Sequence, residues 1–264
     1  MLAHEFFFDL ASFEHKSLFD GQIHVWGALK NLKGYVNNYC AAARIELPAD
    51  KPLAETLIIY NGEILASAGL NIDYCDATKG KLAVQKKGEQ LEGASVIMAG
   101  TVLMGDAIVI GKGVLIESGA LIKSPAIIGD NTEVRQGAYL RGYCLIGKRC
   151  VVGHVTEIKH SIFLDDAKAG HFAYLGDSIL GNAVNLGAGT KMANLRFMSG
   201  DVHVRTPNKV FATGLRKLGA ILGDHVQTGC NSVTNPGTLL GKRAIVFPNT
   251  TVPSGYHADS SLIR

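Results

Sequence analysis

Residues 98–158 read MAGTVLMGDAIVIGKGVLIESGALIKSPAIIGDNTEVRQGAYLRGYCLIGKRCVVGHVTEI. Within this stretch Met98, Met104, Ile110, Ile116, Ile122, Ile128, Val134, Leu140, Ile146, Val152 and Ile158 recur at every sixth position. Glycine follows several of them, as at Gly105, Gly111, Gly129, Gly147 and Gly153. An amphipathic helix repeats its apolar face about every 3.6 residues and a half-buried strand every two, so neither produces this count. A hexapeptide β-helix does: each repeat is a short strand and a turn, and three repeats close a triangular coil of about 18 residues. The next coil stacks at about 4.8 Å, and the six-spaced aliphatics form inward columns.

Downstream the count resumes in a new phase at Leu180-Gly181, Leu186-Gly187, Leu222-Gly223 and Leu240-Gly241, continued by Val246 and Val252. Gly153 and Gly181 are 28 residues apart, which reads as four repeats with four extra residues inserted. Residues 195–217 are polar, contain Pro207 and lack the pattern, so they read as a loop projecting from the prism. Upstream, residues 1 to about 45 read as helical after a short aromatic lead of Phe6, Phe7 and Phe8, with Leu18, Ile23, Trp26, Leu29, Leu32 and Val36 at roughly helical spacing interrupted by Asp20-Gly21. Leu57-Ile58-Ile59-Tyr60, Asn61-Gly62 and Ile64-Leu65-Ala66 read as a hairpin, because Asn-Gly supplies the two positive-φ positions of a tight turn. Residues 79–90 read as a charged link. The expected organisation is an α+β segment over 1–90, read as a cap or partner-binding element, and a hexapeptide-repeat domain over 91–264.

Composition narrows the class. Of 264 residues, 31 are glycine, 47% are hydrophobic and 19% are charged, which suits a turn-rich β domain with a core and excludes disorder. A net charge of +3 lacks the dense basic face of nucleic-acid binders but suits a small anionic ligand. Five cysteines, Cys40, Cys75, Cys144, Cys150 and Cys230, form no CxxC pair and suggest no disulfide framework. The N-terminus has no basic-then-apolar leader, and no run reaches the roughly 18 apolar residues of a membrane span. A cytoplasmic protein without membrane or nucleic-acid partners is expected.

The sparse polar groups collect in residues 159–194, KHSIFLDDAKAGHFAYLGDSILGNAVNLGAGTKMAN, where the six-residue count slips. General acid–base chemistry needs a proton acceptor, a developing oxyanion needs hydrogen-bond donors, and a phosphate needs cations. His171 is the natural acceptor, because imidazole is the side chain poised near neutral pH. Arg141 and Lys159 are one eighteen-residue coil apart and should stack on one face, a spacing that suits a phosphate. Asn185 and Asn194 can donate to carbonyl or hydroxyl oxygens. On the residues alone, a structural histidine, solvated surface cations, turn asparagines and a packing role for Tyr174 all stay open.

The order EIK, AGHFAYLGDS, GNAVNLGAGT, ANLRF and GLRKLGAILGD resembles the acetyltransferase half of the glucosamine-1-phosphate acetyltransferase / N-acetylglucosamine-1-phosphate uridyltransferase family. It is most similar to the archaeal-type sugar-1-phosphate nucleotidyltransferases, which share ANLRF and RKLG. The resemblance covers about 93–252. It implies a left-handed parallel β-helix, a homotrimer and an acetyl-CoA site between subunits. It implies that His171 is the general base and that Asn194 lies beside it. Arg141 and Lys159 match phosphate contacts, although Gly142 stands where proline is usual and Arg135 in VRQGA is a rival. Tyr174 and Asn185 match sugar contacts, and Cys230 and Pro248 match acetyl-CoA contacts.

The resemblance thus implies acetyl transfer from acetyl-CoA to a hexosamine 1-phosphate, glucosamine- or galactosamine-1-phosphate, for nucleotide-sugar and cell-envelope precursors, without a tightly bound metal. Residues 1–90 lack the Gly-rich nucleotide loop and are too short for a nucleotidyltransferase domain, so uridyl transfer is not expected. Leu195 stands where the bacterial enzymes have a tyrosine. Three alternatives accompany this reading. One is a related acyltransferase acting on a nucleotide-linked sugar. The second is a non-catalytic trimeric scaffold or regulatory protein. The third is a trimeric zinc hydratase of the carbonic-anhydrase type built on His154, His160 and His171.

Overall fold

A computed structural model describes residues 2–264. Its body is a parallel β-helix whose strands of two to four residues stack into three long sheets. Each coil visits the faces in order, as Leu115–Ile116, Leu121–Lys123 and Ala126–Ile128 do. The next coil pairs in register below it, with Glu133 on Leu115, Tyr139 on Leu121 and Cys144 on Ala126. The three faces enclose a continuous core in which Ile116, Ile122, Ile128, Val134, Leu140, Ile146, Val152 and Ile158 are fully buried.

At the start of the repeat the inward positions shift by one. Ile97 and Leu103 are buried, whereas Met104 is 37% exposed. Leu121 pairs with Val102 above it and Tyr139 below it, so the first coil is one residue longer than the second. Apolar residues occupy both 97–98 and 103–104, and only the pleat decides which of each pair points inward.

The slip in 159–194 is a contraction, not the insertion of four residues expected from the count. Cys144 pairs with Ser161, and Ile162 with Ile179, so two successive coils have seventeen residues. Five repeats less two residues and four repeats plus four give the same 28-residue interval, and only the strand pairing separates them. Both residues are lost where the second face turns into the third. There His160 and Asp177 take positive φ, at 48° and 50°, and the tightened corners turn their side chains toward one another.

The N-terminal segment covers the third face. A single α-helix, α1, spans Gly27–Ala43. The other described residues up to 45 contribute two short 3-10 turns, and Ile23 is 81% exposed. On α1, Leu29, Leu32, Val36 and Cys40 recur at three- and four-residue steps and bury against the outward residues Ile127, Leu145, Ile162 and Ile179. Each such aliphatic contributes about 1.5–3 kcal/mol of burial. The hairpin forms as read: Leu57–Tyr60 pairs with Glu63–Ala66 across Asn61 and Gly62, both at positive φ. It adds antiparallel to Ser95–Ile97 and covers the open edge of the first coil. The expected link contains strands of its own, in a small antiparallel sheet of Leu70–Asp73, Ala83–Lys86 and Glu89–Gln90. Residues 195–217 carry a hairpin, His203–Arg205 with Val210–Ala212, and Val202 and Val204 join the apolar layer over the third face beside α1. Among the described residues, no helix is long and apolar enough to cross a membrane.

Gly153 has a packing reason to be glycine. A Cβ there would run into the carbonyl of Gly170 on the next coil. Gly153→Ala is therefore expected to destabilise the protein by about 1–3 kcal/mol, the usual range for forced overpacking. An unchanged urea midpoint would show that the two coils can separate freely.

Candidate functional site

The predicted residues fall on the two edges that flank the second face. The edge between the first and second faces carries His154, His171, Cys230 and Pro248. A backbone ladder fixes their alignment: the Phe172 N–H donates to the His154 carbonyl at 2.7 Å, Gly189 to His171 at 3.1 Å, Asn231 to Ala188 at 2.8 Å and Asn249 to Cys230 at 2.9 Å. His171 lies directly below His154, and their rings stack with centroids 5.8 Å apart. His171 is exposed, and Phe172 beside it is 56% exposed at positive φ. Val155 and Phe247 add further exposed apolar surface to this edge. Asn185 lies on the outer side of the first face, exposed between Lys168 and Gln227.

The opposite edge, between the second and third faces, gathers Arg141, Lys159, Asp177 and Asn194, with Tyr174 on the adjoining strand. Asp177 is the hub, at 6% exposure. Its carboxylate accepts from the His160 ring nitrogen Nδ1 at 2.9 Å, from Asn194 Nδ2 at 2.6 Å and from Lys159 Nζ at 3.4 Å. Burial alone would raise the Asp177 carboxyl, but the His160 hydrogen bond, the Lys159 charge and the Asn194 hydrogen bond outweigh it and hold it below the usual carboxylate range. The other ring nitrogen, His160 Nε2, is buried without a partner among the described residues. Arg141 is anchored by Glu157 at 2.7 Å, and its guanidinium lies 6.0 Å from the centroid of the Tyr139 ring. The Tyr174 hydroxyl and Asn194 Nδ2 crowd the space above Gly176, which leaves no room for a Cβ. Burial, reinforced by Glu157 and Asp177, pushes the Tyr174 phenol up, so it stays a neutral hydrogen-bond donor.

Arg141, Lys159, His160 and Asp177 line one cavity of about 430 Å³, closed by Leu29 and Lys33 of α1 and by Leu215, Arg216 and Lys217. The expected stacking of Arg141 and Lys159 on neighbouring coils is observed, since the flanking Leu140 and Ile158 are register partners. The rival Arg135 lies elsewhere, bound through Nε at 2.9 Å and Nη2 at 2.7 Å to Glu133 of the first face. Within one chain His171 and the cation pocket sit on opposite edges, separated by the second face. At strand rise its three-residue strand spans roughly 10 Å. The three histidines of the zinc alternative do not converge, because Asp177 holds His160 on the far edge from His154 and His171. Among the described residues, no group of three or more His, Cys, Asp or Glu is placed to hold a metal ion.

Asp177, Glu157 and Lys33 escaped the sequence reading. Asp177 carried a usable signal: Arg141, Lys159 and Asp177 are spaced by eighteen, so one more step of the coil count reaches it. Lys33 carried none, because its approach to the edge depends on where α1 docks.

Comparison with known proteins agrees with the motif resemblance. Residues 122–218 match the family described as the GMPPB C-terminal domain. The bifunctional sugar-1-phosphate nucleotidylyltransferase/acetyltransferase of Sulfurisphaera tokodaii is 40% identical over 115 residues, covering 44% of this chain and 29% of that protein. The bifunctional protein GlmU of Methanococcus maripaludis is 35% identical over 127 residues, covering 48% of this chain and 31% of the relative. That of Trichodesmium erythraeum is 33% identical over 138 residues, covering 52% and 26%. The chain thus spans less than a third of the length of these relatives. Among solved structures, the UDP-N-acetylglucosamine acyltransferase of Francisella novicida matches with a TM-score of 0.37 at 16% identity, covering 63% of this chain and 65% of that one.

Proposed function

We propose that the chain is a sugar-phosphate acyltransferase that moves an acetyl group from acetyl-CoA to the amine of a hexosamine 1-phosphate. The observation that carries this reading is the cavity in which Arg141 and Lys159 lie on neighbouring coils beside Asp177, with Tyr174 and Asn194 next to them. The two cations suit a phosphate monoester, and Tyr174 and Asn194 suit the sugar hydroxyls. His171 acts as the base: the amine nitrogen attacks the thioester carbonyl, His171 takes the proton from that nitrogen, the carbon–sulfur bond breaks as the carbonyl re-forms, and the departing thiolate takes the proton from His171 to leave as the thiol. The exposed edge with Cys230 and Pro248 receives the acyl donor.

The second face separates the cation pocket from His171 by more than a single sugar ring spans. We therefore propose a homotrimer in which the pocket of one chain faces His171 of a neighbour, and the exposed Val155, Phe172 and Phe247 are the apolar surface such a contact would cover. The test is thiol release from acetyl-CoA with glucosamine 1-phosphate or galactosamine 1-phosphate as acceptor. Turnover with one of them, absent with the unphosphorylated sugar, is the expected result. No turnover with either would sink the reading and favour a trimeric scaffold.

A further inference from the structure

The cavity at the second edge is built from three separate parts of the chain. The β-helix supplies Arg141 and Lys159, residues 195–217 supply Arg216 and Lys217, and α1 supplies Lys33. The charges do not balance. Glu157 holds Arg141, and Asp177 holds Lys159. Lys33, Arg216 and Lys217 have no carboxylate within ion-pair distance among the described residues. Three uncompensated cations converging on one concave space focus a positive potential that an anion would relieve.

Lys33 is also held in place. Its Nζ lies 5.3 Å from the centroid of the Tyr143 ring, and Tyr143 lines the same cavity. Leu29, one turn earlier on α1, is buried and forms the adjoining wall. The position of Lys33 therefore follows from the apolar docking of α1 on the third face. Lys33 is exposed, and its contact with Tyr143 places the ammonium at the mouth of the cationic pocket.

We infer that α1 is part of the substrate site and that Lys33 binds the phosphate of the ligand opposite Lys159 and Arg216. The inference rests on the reading of this pocket as the sugar-phosphate site and extends it, giving residues 27–43 a role beyond covering the third face. One consequence follows by linkage. A ligand that touches Lys33 binds more tightly when α1 is docked, so ligand should protect α1 against opening.

The test uses the full chain, with glucosamine 1-phosphate and inorganic phosphate as probes. Lys33→Met keeps an unbranched side chain over Tyr143 and removes the charge. It should leave the thermal midpoint without ligand unchanged and weaken binding of both probes about tenfold, the loss of one charge-assisted contact. Glucosamine 1-phosphate should slow amide exchange across 27–43 in the wild type and in the Lys33→Arg variant, and much less in Lys33→Met at the same concentration. Lys86→Gln, on the small antiparallel sheet away from the cavity, should bind both probes as the wild type does. Equal binding by wild type and Lys33→Met would overturn the proposal. So would loss of glucosamine 1-phosphate binding with phosphate binding intact, or exchange across 27–43 that ignores ligand. These readouts are of binding, so absence of thiol release would sink the acetyltransferase reading and leave this result standing.

Discussion

Replacement of His171 by alanine is expected to lower the rate of thiol release about 10²- to 10⁴-fold, the range for losing a positioned general base. That corresponds to roughly 3–5 kcal/mol of transition-state stabilisation. The loss should appear in kcat and leave the affinity for the sugar phosphate nearly unchanged. The reason is geometric. His171 sits on the edge between the first and second faces, whereas Arg141 and Lys159 sit on the other side of the second face. Stability should also change little, because the His171 side chain is exposed and its backbone, not its ring, makes the ladder contact to Gly189. His154→Ala is the informative companion. It removes the ring stacked on His171 at 5.8 Å without removing the base, so it should cost much less. Equal rates in wild type and His171→Ala would place the base elsewhere, and the His160–Asp177 pair would be the next candidate.

Asp177→Ala is expected to have the largest effect on stability, about 3–5 kcal/mol, because it strips the partner from a buried ion pair. Three donors converge on this one carboxylate, from Lys159, His160 and Asn194, and all three would be left facing a cavity. Sugar-phosphate binding should fall with it, since Lys159 and Asn194 would lose the group that aims them. Asp177→Asn keeps the shape and should fall between the two. The pH dependence gives a sharper test. The folded Asp177 carboxyl lies below its ordinary value, so the folded state binds this proton less readily than the unfolded state. Its contribution is fully present above the ordinary carboxylate range and is lost as pH falls through the lowered value. The stability gap between wild type and Asp177→Asn should therefore be full above about pH 5, narrow as pH falls through the ordinary carboxylate value near 4, and close only below the lowered value of the folded state. A gap that is flat across this range, or that closes as pH rises, would show that the ion pair is not what holds the corner.

The period of six made the β-helix legible because a stacked coil repeats one demand: an aliphatic must point inward at each strand. A separate backbone demand made Asn61-Gly62 legible as a hairpin turn, since few residues tolerate two consecutive positive φ values. It also explains the errors. Period counting reads intervals only in multiples of six, so a loss of two residues and a gain of four are the same signal in Leu180-Gly181. At 97–98 and 103–104 two apolar residues stand side by side, and pattern alone does not choose between them. The helical reading of residues 1–45 failed before Gly27 because the aromatic side chains there, Phe7, Phe13 and Phe19, pack as an irregular cluster against the third face, which no local periodicity announces.

For the site, the eighteen-residue spacing correctly put Arg141 beside Lys159, because strand pairing converts sequence distance into adjacency once the coil length is known. Stepping once more would have reached Asp177. What lies beyond that arithmetic belongs to the tertiary structure alone. The split of His171 from the cation pocket depends on which edge of the prism each residue meets. The docking of α1, which brings Lys33 over Tyr143, depends on the outward residues Ile127, Leu145, Ile162 and Ile179 forming one apolar strip that exists only when the coils are stacked. The sequence by itself thus determined the repeat and its inward column, through a short-range and repeated steric rule. Only the folded chain decided the corners, the helix docking and the convergence of charge, because each of these comes from surfaces assembled by residues far apart along the chain.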